Sequence, residues 1–266
     1  TTFSCMAYIN EEGQPVVIPN GEGKNTTPST VLFDGTSTIV GEEAKNQSII
    51  DPQNFEQFVK RHMGERDYLF STEDGEKYSP EAISAIILAK MKADAEQHLG
   101  EPIEGAVITV PAYFNEAQRK STMDAGKIAG LNVLAIINEP TAAALAFGIA
   151  KGTEKEQTIM VYDLGGGTFD VTVLKFDAEN ITVLGTAGDR KLGGYDFDER
   201  IINAVIEEAA ERGLDIKNDL VARQDLQLKA EEAKKTLSVR EKANIVLNIG
   251  GRPFKYSLTR EEFVDL

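Results

Sequence analysis

Two aspartates bracket a run of three glycines in Asp163-Leu164-Gly165-Gly166-Gly167-Thr168-Phe169-Asp170. Three successive residues without a Cβ let the backbone approach a ligand closely and turn several amides toward it, which suits a phosphate. Magnesium keeps most of its waters and takes one or two carboxylates beside phosphate oxygens, so Asp163 and Asp170 could hold a hydrated Mg²⁺. Thr168 adds a hydroxyl for a phosphate oxygen. An ordinary glycine hairpin with turn aspartates is the competing reading, and a glycine triplet alone would not decide against it.

The segments on either side must position this loop. Thr158-Ile159-Met160-Val161-Tyr162 precedes it and Val171-Thr172-Val173-Leu174 follows, so the glycines form the turn of a hairpin, with another strand at Ile181-Thr182-Val183-Leu184. Upstream, turn signals at Glu12-Gly13, Asn20-Gly21 and Asp34-Gly35 separate short β-rich runs, which predicts antiparallel meandering strands from Phe3 to about Val40. Ile83, Ile86, Ile87 and Met91 recur at helical spacing after the start signal Ser79-Pro80-Glu81, predicting a helix from Ser79 to His98. Strand Ala106–Val110, helix Glu116–Ala129, strand Val133–Ile137 and helix Thr141–Ile149 alternate, which predicts a parallel, helix-covered sheet. A polar linker from Lys151 to Glu156 marks a boundary. Beyond it come helices near Tyr195–Arg212 and Asn218–Leu237 and a hairpin joined by Gly250-Gly251. A faint internal echo links Thr2-Phe3-Ser4-Cys5 to Thr168-Phe169-Asp170-Val171, as a duplicated architecture would.

Composition narrows the function. Twenty-eight basic against forty-three acidic residues leave a net charge of −15, which argues against nucleic acid and anionic membranes as partners. A small anion remains compatible, because a nest of amides binds phosphate inside an acidic protein. The single cysteine, Cys5, excludes an internal disulfide and is expected in the core; a reducing, cytoplasmic setting fits. His62 and His98 have no neighbouring ligand in sequence, so neither is expected to bind metal. Both ends look cut: the first strand is under way at residue 1, and the capping box Thr259-Arg260-Glu261-Glu262 opens a helix whose apolar face, Phe263, Val264 and Leu266, stops after about one turn.

Four segments together carry a family resemblance: Asp163 to Asp170, Asn138-Glu139-Pro140-Thr141-Ala142-Ala143-Ala144, Val110-Pro111-Ala112-Tyr113-Phe114, and Gly193-Gly194 with Asp196-Phe197-Asp198. They resemble the ATPase domain of the heat-shock seventy-kilodalton chaperones of the DnaK type, over essentially the whole chain. The resemblance implies an α/β, actin-like (ribonuclease H-like) ATPase fold with mixed sheets and two lobes around a nucleotide cleft. The first lobe would span residues 1–152 and lack its first strand; the second would span 153–266 and be incomplete. Thr1 and Thr2 would end the first phosphate loop, with the preceding Asp-Leu-Gly missing.

By the same resemblance, ATP or ADP with Mg²⁺, and K⁺ as a further ion, would occupy the cleft. Lys60 would reach the γ-phosphate and orient the attacking water, with Glu139 and Asp163 lining the water and metal site. Gly165, Gly166, Gly167, Thr168, Gly193 and Gly194 would cradle phosphates, and Asp163, Asp170 and Glu139 would reach the metal mostly through water. On one helix Glu231, Lys234 and Ser238 share a face with Lys235 beside them, matching the family's adenosine grip; a solvated charged helix has the same spacing. Pro111 and Arg119 match positions that couple the cleft to a substrate domain, beside the plainer readings of a strand-ending proline and a surface arginine. Partners would be unfolded polypeptides, held by a domain outside this chain, and a nucleotide-exchange factor. Ala135 stands where the family commonly has an arginine, which puts ordinary docking of a J-domain co-chaperone in doubt. Tyr195 and Lys191 also depart, from an acidic residue and a histidine. A phosphotransferase of the sugar or acetate kinase type and a nucleotide-binding fragment with weak or no turnover are the alternatives.

Overall fold

The computed structural model describes residues 1–151, 156–176 and 180–266. The first seven strands are β1 (Phe3–Ser4), β2 (Met6–Ile9), β3 (Pro15–Ile18), β4 (Thr27–Pro28), β5 (Thr30–Asp34), β6 (Ser37–Val40) and β7 (Phe55–Gln57). All pair antiparallel: β1 with β4, β2 with β3, and β5 between β6 and β7. The meander expected up to Val40 is therefore present. Helix α1 (Glu42–Gln47) lies between β6 and β7, and a 3-10 turn over Val59–His62 follows β7. Strands β8 (Phe70–Ser71) and β9 (Lys77–Tyr78) make a small antiparallel pair.

Helix α2 (Pro80–Leu99) starts where the capping signal put it, with the Ser79 hydroxyl accepting from the Ala82 amide. Its Ile83, Ile87 and Met91 pack against Val31, Phe33 and Val40. Next, β10 (Gly105–Val110), helix α3 (Glu116–Ile128) and β11 (Asn132–Asn138) form the expected strand, helical crossover and parallel strand, and helix α4 (Glu139–Lys151) begins directly at the end of β11. The boundary placed between residues 152 and 153 lies outside the described residues.

Strands β12 (Gln157–Leu164), β13 (Phe169–Phe176) and β14 (Ile181–Asp189) make an antiparallel sheet in that order. Helices α5 (Gly194–Glu211) and α6 (Leu220–Leu237) and the hairpin β15 (Lys242–Ile249) and β16 (Arg252–Thr259) share one core, in which Ile201, Leu226, Ile245 and Leu258 are buried. The final helix α7 (Arg260–Asp265) has the capping box: Glu262 N donates to Thr259 Oγ1 at 3.2 Å, and Thr259 N to Glu262 Oε2 at 2.7 Å.

Two expectations need correction. Cys5 is exposed, not packed in the core. The side chains alternate from Phe3 to Ile9, with Phe3, Cys5, Ala7 and Ile9 facing outward and Ser4, Met6 and Tyr8 facing inward. On α7 only Phe263 packs against the core; Val264 is 78% exposed and Leu266 42%.

Candidate functional site

The β12–β13 ladder runs to Leu164 and Phe169 with Asp163 directly opposite Asp170, leaving residues 165–168 as the turn. Gly165 N closes it on Thr168 O at 2.9 Å. Every glycine carbonyl of the run is committed elsewhere. Gly194 N donates to Gly165 O at 3.0 Å, Tyr195 N donates to Gly166 O at 2.8 Å, and the Arg61 guanidinium forks onto Gly167 O through Nε at 3.1 Å and Nη2 at 2.9 Å. Among the described residues no hydrogen bond uses the amides of Gly166 or Gly167. Side chains are excluded from its last two glycines. A Cβ on Gly167 would meet Thr1 side-chain atoms at 2.7–2.9 Å, and one on Gly166 would overlap the Thr2 side chain. Thr1 and Thr2 thus pack against the glycine run.

Acidic groups gather on the same side. Asp170 is 2% exposed and its Oδ1 has no hydrogen-bond partner. Burial pushes its carboxyl up, and the Glu139 and Asp163 charges push further, while a Tyr113 amide pulls back. Asp163 is likewise raised by burial and then by Glu139, with Lys60 opposing. Lys60, on the 3-10 turn, bonds Glu139 at 2.6 Å, where α4 starts. An unpaired buried carboxylate oxygen beside two more raised or neighbouring acids suits the water shell of a divalent cation. Among the described residues, however, no group of three or more His, Cys, Asp or Glu side chains is near enough to hold one ion directly. A divalent cation at these carboxylates would be held through its waters.

Beside the loop runs a crevice of about 60 Å³. One wall carries Thr2, Ser29, Lys45 and Phe58; the other carries Gly166, Gly194, Tyr195, Asp198, Glu231 and Lys234. Lys45 Nζ reaches Glu231 Oε2 across it at 2.5 Å. Lys234 Nζ bonds Gly194 O at 2.7 Å and lies 2.8 Å from Asp198 Oδ1, an ion pair off the hydrogen-bonding direction. Burial still raises Asp198 to about 6, with Lys234 opposing. Gly193 packs backbone to backbone on the loop, since a Cβ there would lie 2.6 Å from Gly166 C.

Of the α6 residues, Glu231 and Lys234 face the crevice. Lys235 is 62% exposed and held to Glu231, and Ser238 is an exposed C-cap. Arg119 is not a free surface arginine: Nη2 donates to Asn138 Oδ1 at 2.6 Å and Nε to Phe114 O at 3.0 Å, tying α3 to the residue before Glu139. Pro111 is buried at the end of β10, and its carbonyl accepts from Phe114 N. Sequence reasoning gave no role to Arg61, Lys45, Phe58 or Tyr195. Arg61 adjoins Lys60, the one local hint; the others act through partners far along the chain.

The family model described as Hsp70 protein matches residues 1–71 and 66–266.

Proposed function

The chain belongs to the Hsp70 protein family, and from that premise we propose that it is the nucleotide-binding and ATP-hydrolysing unit of a chaperone, with residues 1–152 and 153–266 as the two lobes of an actin-like fold. Family membership brings chaperone ATPase character, ATP or ADP and a divalent metal in general. The observation that supports the specific site is the glycine loop's hydrogen bonding: its three carbonyls are all taken by Gly194, Tyr195 and Arg61, leaving the Gly166 and Gly167 amides to donate to a phosphate.

In this reading the loop amides, Thr168 and the Thr1 and Thr2 segment bind the phosphates, and Glu231 and Lys234 meet the adenosine end. Bound magnesium supplies neutralisation of phosphate charge. Asp163, Asp170 and Glu139 hold that ion's waters, and Lys60 leaves Glu139 to meet the terminal phosphate and orient the attacking water. Hydrolysis then shifts the populations of lobe arrangements, and Arg119 and Pro111 pass the shift to a peptide-binding partner domain. Unfolded polypeptides and an exchange factor are the partners in a cytoplasmic setting. Ala135 offers no charge for ordinary J-domain docking. Among the described residues no helix is long and apolar enough to cross a membrane.

Binding without turnover is a second reading, favoured by the 2.6 Å Lys60–Glu139 pair, which occupies the lysine needed at the γ-phosphate. Calorimetric titration of ADP with Mg²⁺ tests the site. Gly166→Asp, which places a carboxylate against Thr2 where phosphate belongs, should abolish binding; equal affinities would remove the loop assignment. Phosphate release abolished by Lys60→Ala separates turnover from binding alone.

A further inference from the structure

We propose that Phe58, Tyr195 and Arg61 form an aromatic and cationic clasp across the crevice that sets how fast a nucleotide leaves it, an inference that rests on the nucleotide reading above. Phe58 is the one non-glycine residue with positive φ among the described residues, at φ 65° and ψ 14°. A bulky side chain keeps this left-handed conformation only where its surroundings over-determine it. Its surroundings are the Tyr195 ring, 4.4 Å away between centroids and tilted by 52°. The Arg61 guanidinium lies 4.8 Å from the centre of that same ring. Arg61 also pairs with Asp196, the next residue, and forks onto Gly167 O.

The connectivity makes this a bridge. Phe58 follows β7 and begins the turn that carries Lys60 and Arg61, so it belongs to one wall. Tyr195 sits in the first turn of α5 with its amide on Gly166 O, so it belongs to the other wall and to the glycine loop itself. Phe58 and Tyr195 both line the crevice, each from its own wall. A nucleotide held between the two walls is therefore released past the Phe58–Tyr195 contact. No hydrogen bond among the described residues uses the Tyr195 hydroxyl, so the ring face is the working part.

The test is stopped-flow release of a fluorescent N-methylanthraniloyl ADP with Mg²⁺ from the chain. Tyr195→Ala and Phe58→Asn should each speed release about three- to tenfold, as loss of a ring pair and a cation–π contact implies. Asparagine tolerates the left-handed backbone, so Phe58→Asn removes the ring without adding strain. Together the two changes should do little more than the larger one alone, because both break one contact. Tyr195→Phe should stay within about twofold of the unmodified chain, since ring and cation remain. Should Tyr195→Ala fail to fold, Tyr195→Leu, apolar but without a π face, carries the same expectation. Unchanged release in Tyr195→Ala (or Tyr195→Leu) and Phe58→Asn, with ADP still bound, overturns the clasp and leaves the nucleotide site standing. No ADP binding by the unmodified chain at equilibrium overturns both.

Discussion

Gly193 is where one added methyl group should do most damage. Its φ of 178° is extended, so alanine brings no backbone strain, and the effect is purely one of space. A Cβ there would lie 2.6 Å from Gly166 C, 2.6 Å from Gly167 N and 2.7 Å from Gly165 O. Ordinary contact begins near about 3.5 Å, so the glycine loop and the start of α5 must separate by close to an ångström. That stretches both bonds joining them, Gly194 N to Gly165 O and Tyr195 N to Gly166 O. Overpacking costs about 1–3 kcal/mol and each of the two weakened hydrogen bonds roughly 0.5–1.5 kcal/mol, so Gly193→Ala should lose about 2–6 kcal/mol. Loop displacement of this size should also weaken ADP with Mg²⁺ at least about tenfold. The control is Gly185→Ala, where a Cβ meets nothing within 4 Å; it should be neutral or stabilising by up to about 1 kcal/mol. Urea unfolding followed by circular dichroism, with calorimetric titration, reads both. A Gly193→Ala chain within roughly 0.5 kcal/mol of the unmodified one and binding ADP equally well would refute the packing argument.

Glu56 is 8% exposed, and burial raises its carboxyl to about 7 while the Tyr68 hydroxyl pulls it back. Its folded pKa lies above the unfolded one, so the native state holds the proton more tightly and stability falls as pH climbs from about 4.5 to about 7. Glu56→Gln keeps an acceptor for Tyr68 and removes the buried charge; unfolding at pH 8 should show a gain of roughly 1–3 kcal/mol that vanishes at low pH. Arg61→Lys loses the fork onto Gly167 O and the paired contact to Asp196, and should cost about 1.5–3 kcal/mol in urea unfolding. Cys5, being exposed, should react with a thiol reagent in the folded state nearly as fast as in urea, and Cys5→Ser should shift stability by less than about 0.5 kcal/mol.

Local pattern carried most of the elements. Ser79-Pro80 and the apolar spacing after it marked α2 to within a residue at each end, and the β-rich runs around the glycines marked the β12–β13 hairpin. Cys5 was misplaced because nearly every residue from Phe3 to Ile9 is apolar or small, so composition gives no phase for the alternation that exposes it. Val264 and Leu266 were misplaced because α7 packs on β16 through a single position, Phe263. The site's long-range ties had no local trace. Lys45 and Glu231 are 186 residues apart, and Arg61 and Asp196 are 135 apart; neither pair can be read from spacing on one element. Family resemblance supplied Lys60 and Glu139, which no spacing argument singled out.

How a chain of net charge −15 binds an anion follows from how its peptide groups are spent. Each peptide offers one donor and one acceptor. At Gly165–Gly167 the acceptors are consumed by Gly194, Tyr195 and Arg61 and the Gly165 donor by Thr168, so the polarity the loop has left is that of the Gly166 and Gly167 donors. The nearby cations add little to this, because each already has a carboxylate: Lys60 has Glu139, Arg61 has Asp196, Lys234 has Asp198 and Lys45 has Glu231. Asp163 and Asp170, raised by burial and by Glu139, remain without such a partner. A phosphate alone would meet the amides on one side and these acids on the other. A divalent cation between phosphate and acids relieves both repulsions at once. On the proposed reading, the arrangement would favour metal and nucleotide together over either one separately.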